Sequence, residues 1–115
     1  MREISEPEVY LVGKTSICTE GLQQFFRAID DPDWRPDPDV SDGENLIEAA
    51  GRMCYRSWQP YDPEKPRGSN PNVKRVRQGN AEYLGNILAH AHGSVLEHVN
   101  LTFILRGVSR VVTHE

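Results

Sequence analysis

Two imidazoles, a hydroxyl and a carboxylate crowd into the stretch His92-Gly93-Ser94-Val95-Leu96-Glu97-His98, and a basic turn, Gly107-Val108-Ser109-Arg110, follows after a short alternating run. Such groups can hold a metal, move a proton or cradle an anion. Three constellations are compatible with the spacing. A metal site would draw on His90, His92 and His98 with Glu97, since imidazole suits zinc or iron. On a helix, however, residues two apart point about 200° from one another, so His90 and His92 do not readily share one ion. A structural turn would use Ser94 as a cap and pair Glu97 with His98 in the core. A ligand cradle would set the Gly-Ser turn beside a second helix whose first turn presents Arg110. Orphan N–H groups at a helix start and a guanidinium fork both favour phosphate, so this third arrangement implies a phosphorylated ligand.

The elements that must position these groups are legible on either side. Asn80 reads as the N-cap of a helix carrying Tyr83, Leu84, Ile87, Leu88 and Ala91 on one stripe and closing near Gly93. His90 and His92 fall in its last turn, where the helix dipole favours a protonated imidazole; that local role accounts for His90 better than for His92. From Val99 the period becomes two, with Val99, Leu101, Phe103 and Leu105 on one side and Asn100, Thr102, Ile104 and Arg106 on the other, the pattern of a half-buried strand. Gly107 breaks it, and Val108, Val111 and Val112 return to helical spacing. Residues 9–12 form a second short strand, followed by Gly13 and a helix through Leu22, Phe25 and Phe26.

Another helix opens at Ser41-Asp42-Gly43-Glu44, which has capping-box spacing, and places Leu46, Ile47, Ala49, Ala50, Met53 and Cys54 on a core face. Cys54 is therefore expected to be a small buried hydrophobe, because no sequence feature argues for a lowered thiol pKa. Two loops flank this helix. In residues 30–44 the acids Asp30, Asp31, Asp33, Asp37, Asp39, Asp42 and Glu44 alternate with Pro32, Pro36 and Pro38, which predicts a solvated loop. A calcium-binding helix-loop-helix is rejected there, because the prolines break the ligand loop and the glycine is misplaced. Residues 59–79, rich in Pro, Gly and Asn, reverse the charge with Lys65, Arg67, Lys74, Arg75 and Arg77. Such a loop can recruit an anion, but a solvated, partly disordered insertion is the expectation, since nothing aromatic or glycine-patterned fixes the cations.

Composition bounds the function. A chain of 115 residues suits one small domain, spanning 1–115, and its net charge of -4 argues against a nucleic-acid binder. The two cysteines, Cys18 and Cys54, are too few for a disulfide framework and are expected as free thiols. No apolar run suits a membrane span and the acidic, proline-broken start is unlike a signal peptide, so the expected address is cytoplasmic.

Taken in order, Glu48-Ala49-Ala50-Gly51-Arg52-Met53-Cys54-Tyr55-Arg56-Ser57-Trp58, then the 92–98 stretch, then Thr102-Phe103 and Gly107-Val108-Ser109-Arg110 leading into Thr113-His114-Glu115, resemble the N-terminal half of flavin-dependent thymidylate synthase. The resemblance covers roughly Leu46 to Glu115 with three motifs in order, and is loose over the first forty-odd residues and the basic loop. It implies an α/β (α+β) fold with an antiparallel sheet flanked by helices, part of a single domain of the thymidylate synthase complementing type. It also implies FAD as cofactor, NADPH and methylenetetrahydrofolate as co-substrates, and dUMP methylated to dTMP in a homotetramer whose active sites lie between subunits. The cofactor carries the hard chemistry and the protein orients it. Residue by residue, the resemblance implies that Ser94 contacts FAD and His92 lines the flavin pocket. It sets Glu115 at the start of the segment touching the nucleotide and Arg110 where closer relatives meet its phosphate. No catalytic cysteine is implied, and no metal ligand.

The departures are as informative. A helix beginning near Val108 meets no Gly, Asn or Pro before Glu115, so the polypeptide is expected to be cut, and a chain of this length alone to be inactive. Two other classes stay open: a non-catalytic interaction or regulatory module derived from such an enzyme, and, third, a metal-dependent hydrolase. The resemblance predicts that the reading frame beyond Glu115 encodes a Leu-Val-Arg-His-Arg-like run; sequencing the locus checks this, and an unrelated continuation sinks the functional assignment.

Overall fold

The computed structural model describes residues 6–90 and 93–109. Its elements run β1 (Glu8–Lys14), α1 (Thr19–Ala28), α2 (Asp42–Tyr55), α3 (Asn80–Ala89), a short 3-10 helix (Gly93–His98) and β2 (Leu101–Arg106). This is the expected α+β arrangement, an antiparallel sheet with helices. The helical expectation for the segment after Val108 falls largely outside the described residues.

Ser41 starts α2 as its sequence promises. The Ser41 hydroxyl accepts from the Glu44 N–H at 3.2 Å and donates to the Glu44 carboxylate at 3.0 Å, which satisfies an orphan donor of the first turn. At the other end Arg56 takes a left-handed conformation, φ 52°, and closes the helix. The buried stripe differs from the apolar face expected. Ile47 and Ala49 are buried, but so are Asn45, Glu48 and Arg52, each only 2% exposed, while Met53 is 51% exposed and Cys54 is also at the surface. An apolar count could not see this, because Glu48 and Arg52 stand one helical turn apart and neutralise each other. The buried assignment of Cys54 is thus corrected; both cysteines are free thiols, and both are exposed.

Glu48 and Arg52 form the hub of the helical part. One Glu48 carboxylate oxygen meets the Arg52 guanidinium at 2.8 Å and accepts from the Trp34 indole at 2.9 Å; the other accepts from the Asn80 amide at 2.9 Å. Arg52 in turn donates to the carbonyls of Ser57 and Arg77, both at 2.6 Å, and lies over the Tyr83 ring at 4.6 Å. Among the described residues no buried side-chain nitrogen or oxygen lacks a partner. Full satisfaction is the condition under which a buried ion pair is tolerated.

Both loops stay largely at the surface, as expected, but are organised by this packing. Pro32 and Ser69 are fully buried, and Trp34 packs with Phe26 and Trp58 in an aromatic core whose ring centroids lie 5.3–5.9 Å apart. Helix α2 begins at Asp42, where the capping-box spacing set it, so the last acids of the 30–44 stretch lie in its first turn. The basic loop docks onto it: Arg67 meets Asp30 at 2.6 Å, and Lys65 reaches the Asp31 carbonyl at 2.8 Å and the Asp33 carboxylate at 3.2 Å. Arg67 holds the Asp30 carboxyl below its ordinary range.

Strands β1 and β2 pair antiparallel from Glu8 opposite Arg106 to Lys14 opposite Leu101, with a bulge between Leu11 and Gly13. The bulge brings Gly13 so close to Thr102 that an added Cβ would sit 3.2 Å from the Thr102 Cβ. The half-buried strand expected from the alternation is not observed: β2 is exposed along its whole length, Phe103 at 50% and Ile104 at 55%. Alternation states which residues share a face. Burial also needs a cover, and none of the described elements provides one.

The hub makes a stability prediction. Arg52→Met leaves Glu48 buried without its counter-charge, which costs about 3–5 kcal/mol. Urea denaturation of the variant beside Glu48→Gln/Arg52→Met checks it; the double variant should recover much of the loss, and an unchanged single variant would show the pair to be dispensable.

Candidate functional site

Helix α3 begins at Asn80, with Gly79 as its N-cap residue at φ +85°. Asn80 was expected in the capping role. Its side chain turns inward instead, to the Glu44 carbonyl at 3.1 Å and to Glu48, so that α3 is clamped to α2. Tyr83 and Ile87 of the expected stripe are buried, whereas Leu88 is 65% exposed. The helix closes at Ala89 rather than Gly93, and the ring nitrogen Nδ1 of its C-cap His90 lies 2.9 Å from the Asn86 carbonyl.

Gly93 instead opens the 3-10 helix, which carries Ser94, Glu97 and His98 and buries none of its residues. A core pairing of Glu97 with His98 is therefore excluded. Ser94 faces a cavity of about 400 Å³ whose walls are Gly51, Cys54 and Tyr55 at the end of α2 and Tyr83 and Ile87 of α3. Aromatic and aliphatic walls with a hydroxyl and a thiol at the rim suit a planar ring bearing a few polar atoms. The neighbouring cleft, about 250 Å³, shares Tyr55, Tyr83 and Ile87 and adds Ser57, Arg75, Arg77 and Asn86.

Tyr83 divides the two. Its ring fits against α2 because residue 51 is glycine: a Cβ there would collide with the Tyr83 hydroxyl. Burial pushes the Tyr83 phenol above its ordinary value of 10.0, and Arg52 opposes that rise. His92, Arg110 and Glu115 lie outside the described residues, so of the expected contacts Ser94 alone is placed. Among the described residues no three His, Cys, Asp or Glu side chains gather as a metal site would need.

A family profile described as thymidylate synthase complementing protein matches residues 39–115, which contain both cavities. The chain belongs to this family. Over 115 residues it is 38% identical to the flavin-dependent thymidylate synthase of Mycobacterium avium, and likewise to that of Mycobacterium tuberculosis, covering all of this chain and 37% of each relative. The Corynebacterium aurimucosum enzyme of the same name is 35% identical, with 38% of its length covered. The chain thus spans little more than a third of the relatives it matches. The likeness reaches the N-terminal residues as well, where motif comparison found only a loose match.

Cys54, Tyr55 and Tyr83 line the candidate site beside Ser94 and were not singled out for it by sequence reasoning. Cys54-Tyr55 stood in the recognised stretch, but the expected core face of α2 hid its exposure. Tyr83 stood on the stripe of α3, and nothing in the stripe told a wall from a core residue.

The raised Tyr83 phenol yields a pH prediction. The folded state holds this proton more tightly than the unfolded chain, so the stabilisation is complete below pH 10.0 and is lost as pH rises through the folded-state pKa. Tyr10, raised by its contact with Glu8, contributes with the same sign. Tyr83→Phe should flatten part of the alkaline decline in denaturation midpoints measured from pH 8 to 11, and an unaltered decline would count against the buried phenol.

Proposed function

We propose that this chain forms part of the cofactor and nucleotide site of a flavin-dependent thymidylate synthase, an enzyme that uses FAD, NADPH and methylenetetrahydrofolate to methylate dUMP to dTMP. The observation that carries the reading is the cavity in which Ser94 meets Cys54, Tyr55 and Tyr83, lying within the stretch matched by the family profile. FAD supplies hydride transfer when bound. The residues of this chain bind and orient it: Tyr55, Tyr83 and Ile87 offer apolar contact, and Ser94 offers a hydroxyl at the rim. In the same reading His92 lines the flavin pocket, while Arg110 and Glu115 face the nucleotide and its phosphate.

The exposed apolar ribbon supports assembly. Val9, Leu11, Leu101 and Phe103 are all at least half exposed on the sheet, a surface that water disfavours at about 25 cal/mol per Å². A homotetramer with sites between subunits would give that ribbon a cover. The chain spans 37% of its relatives, and the full reaction is proposed for a protein of their length, with this chain inactive by itself. No described helix is long and apolar enough to cross a membrane.

Fluorescence titration tests the assignment. FAD should bind this chain weakly, and Ser94→Trp, which fills the cavity, should abolish the signal while Ser94→Ala weakens it about tenfold, the loss of one charge-assisted or well-placed hydrogen bond. Flavin binding indifferent to both substitutions would refute the placement, and tight stoichiometric binding would refute the incompleteness.

A further inference from the structure

Four of the five cations of residues 59–79 fall into two groups that the sequence does not separate. Lys65 and Arg67 are taken up by the acidic loop, as described above. Arg75 and Arg77 converge instead on one carboxylate, Glu82 in the first turn of α3, at 3.1 and 3.9 Å. Two guanidiniums facing a single carboxylate leave a positive excess. They line the 250 Å³ cleft together with the hydroxyls of Tyr55 and Ser57 and the amide of Asn86, all able to donate to an anion.

The cleft is also held in shape. The Arg77 carbonyl accepts from the buried Arg52 at 2.6 Å, which ties the loop backbone to the Glu48 hub, and the Arg77 side chain is only 31% exposed. Glu82 is 43% exposed, and ion pairs of such exposure are weakly held, so a dianion can displace it from Arg75 at small cost. An arginine fork that an anion can reach is the usual recogniser of phosphate and carboxylate groups.

We propose that Arg75 and Arg77 form a binding subsite for the phosphate or carboxylate portion of a ligand whose planar part occupies the neighbouring Ser94 cavity. The link between the cavities rests on the flavin-site reading; the anion subsite does not. Tyr55, Tyr83 and Ile87 are a common wall, so one extended molecule can touch both. Every ligand of that reading carries such an anion; the two whose length suits both cavities are the dinucleotide flavin, through its diphosphate, and the folate, through the carboxylates of its glutamate tail.

Inorganic pyrophosphate is the first probe, titrated into the whole chain and followed by NMR or calorimetry. The chain should bind it, Arg75→Gln/Arg77→Gln should weaken binding at least about tenfold, and Arg106→Gln, at the far end of the sheet, should leave it unchanged. Glu82→Gln removes the competing carboxylate and should tighten binding severalfold, a gain that a misfolded variant does not produce. Absence of pyrophosphate binding, or equal binding by the double variant, overturns the subsite. FAD against riboflavin, and folate triglutamate against the monoglutamate, then identify the source: the double variant should abolish the preference for whichever tail the cleft takes. If neither preference changes, the connection to the Ser94 cavity is overturned while the anion subsite stands. If neither FAD nor riboflavin binds while pyrophosphate binds, the flavin reading fails and the subsite survives.

Discussion

The buried pairing of Glu48 with Arg52 is the constraint on which the helical part depends. An isolated charge in that position would be driven out or neutralised, so each partner is present only because the other is. Their remaining capacity is then spent on segments far apart in sequence. Through Glu48 the pair fixes Trp34 and the start of α3; through Arg52 it fixes the turn after α2 and the backbone at Arg77. A hydrophobic pair of similar volume could fill the space, but it could not orient these four segments. Hydrogen-bond direction, more than burial, sets the angle at which α3 meets α2, and that angle shapes both cavities.

Charge complementarity between the loops acts on a second level. Acidic and proline-rich residues before α2, and basic ones after it, read separately as two solvated stretches. Folded, Asp30, Asp31 and Asp33 meet Lys65 and Arg67 directly at the surface, and the left-handed backbone at Asp30 and Asp31 turns that acidic face toward the basic loop. Exposed pairs of this kind add little individually. Their effect is to fix the register between loops, so that Arg75 and Arg77 emerge on the side of α3.

Helix existence was legible because it rests on local signals. The Ser41 cap, the stripe containing Tyr83 and Ile87, and the run through Leu22, Phe25 and Phe26 all fold as the periodicity requires. What stayed hidden depends on partners distant in sequence. Asn80 looked like a cap because its type suits that position, yet the Glu48 carboxylate drew its amide inward and Gly79 took the boundary. Cys54 looked buried because the helix was assumed to bury its apolar side, whereas α3 and Trp34 met the polar one. The 92–98 stretch was found from residue types alone, but the companions of Ser94 in its cavity could be named only once α2 and α3 were packed together.

The uncovered ribbon and the open Ser94 cavity follow from one physical circumstance. Each has the pattern of an internal surface and each is left open on one side by the described residues. A two-stranded sheet by itself is marginal in water, and one with Leu11, Phe103 and Ile104 exposed gains most of its stability from whatever covers it. A cavity lined by tyrosines and open on one side likewise holds a flat ring less firmly than one closed on both. Covering the ribbon and closing the cavity are then linked in the proposed tetramer. In that proposal, subunits burying the sheet would also stiffen the connection between β2 and the 3-10 helix bearing Ser94, through the short stretch 99–100. Cofactor affinity in such an arrangement depends on assembly even where no residue of the ribbon touches the ligand, because binding to the assembled form alone draws the equilibrium toward it.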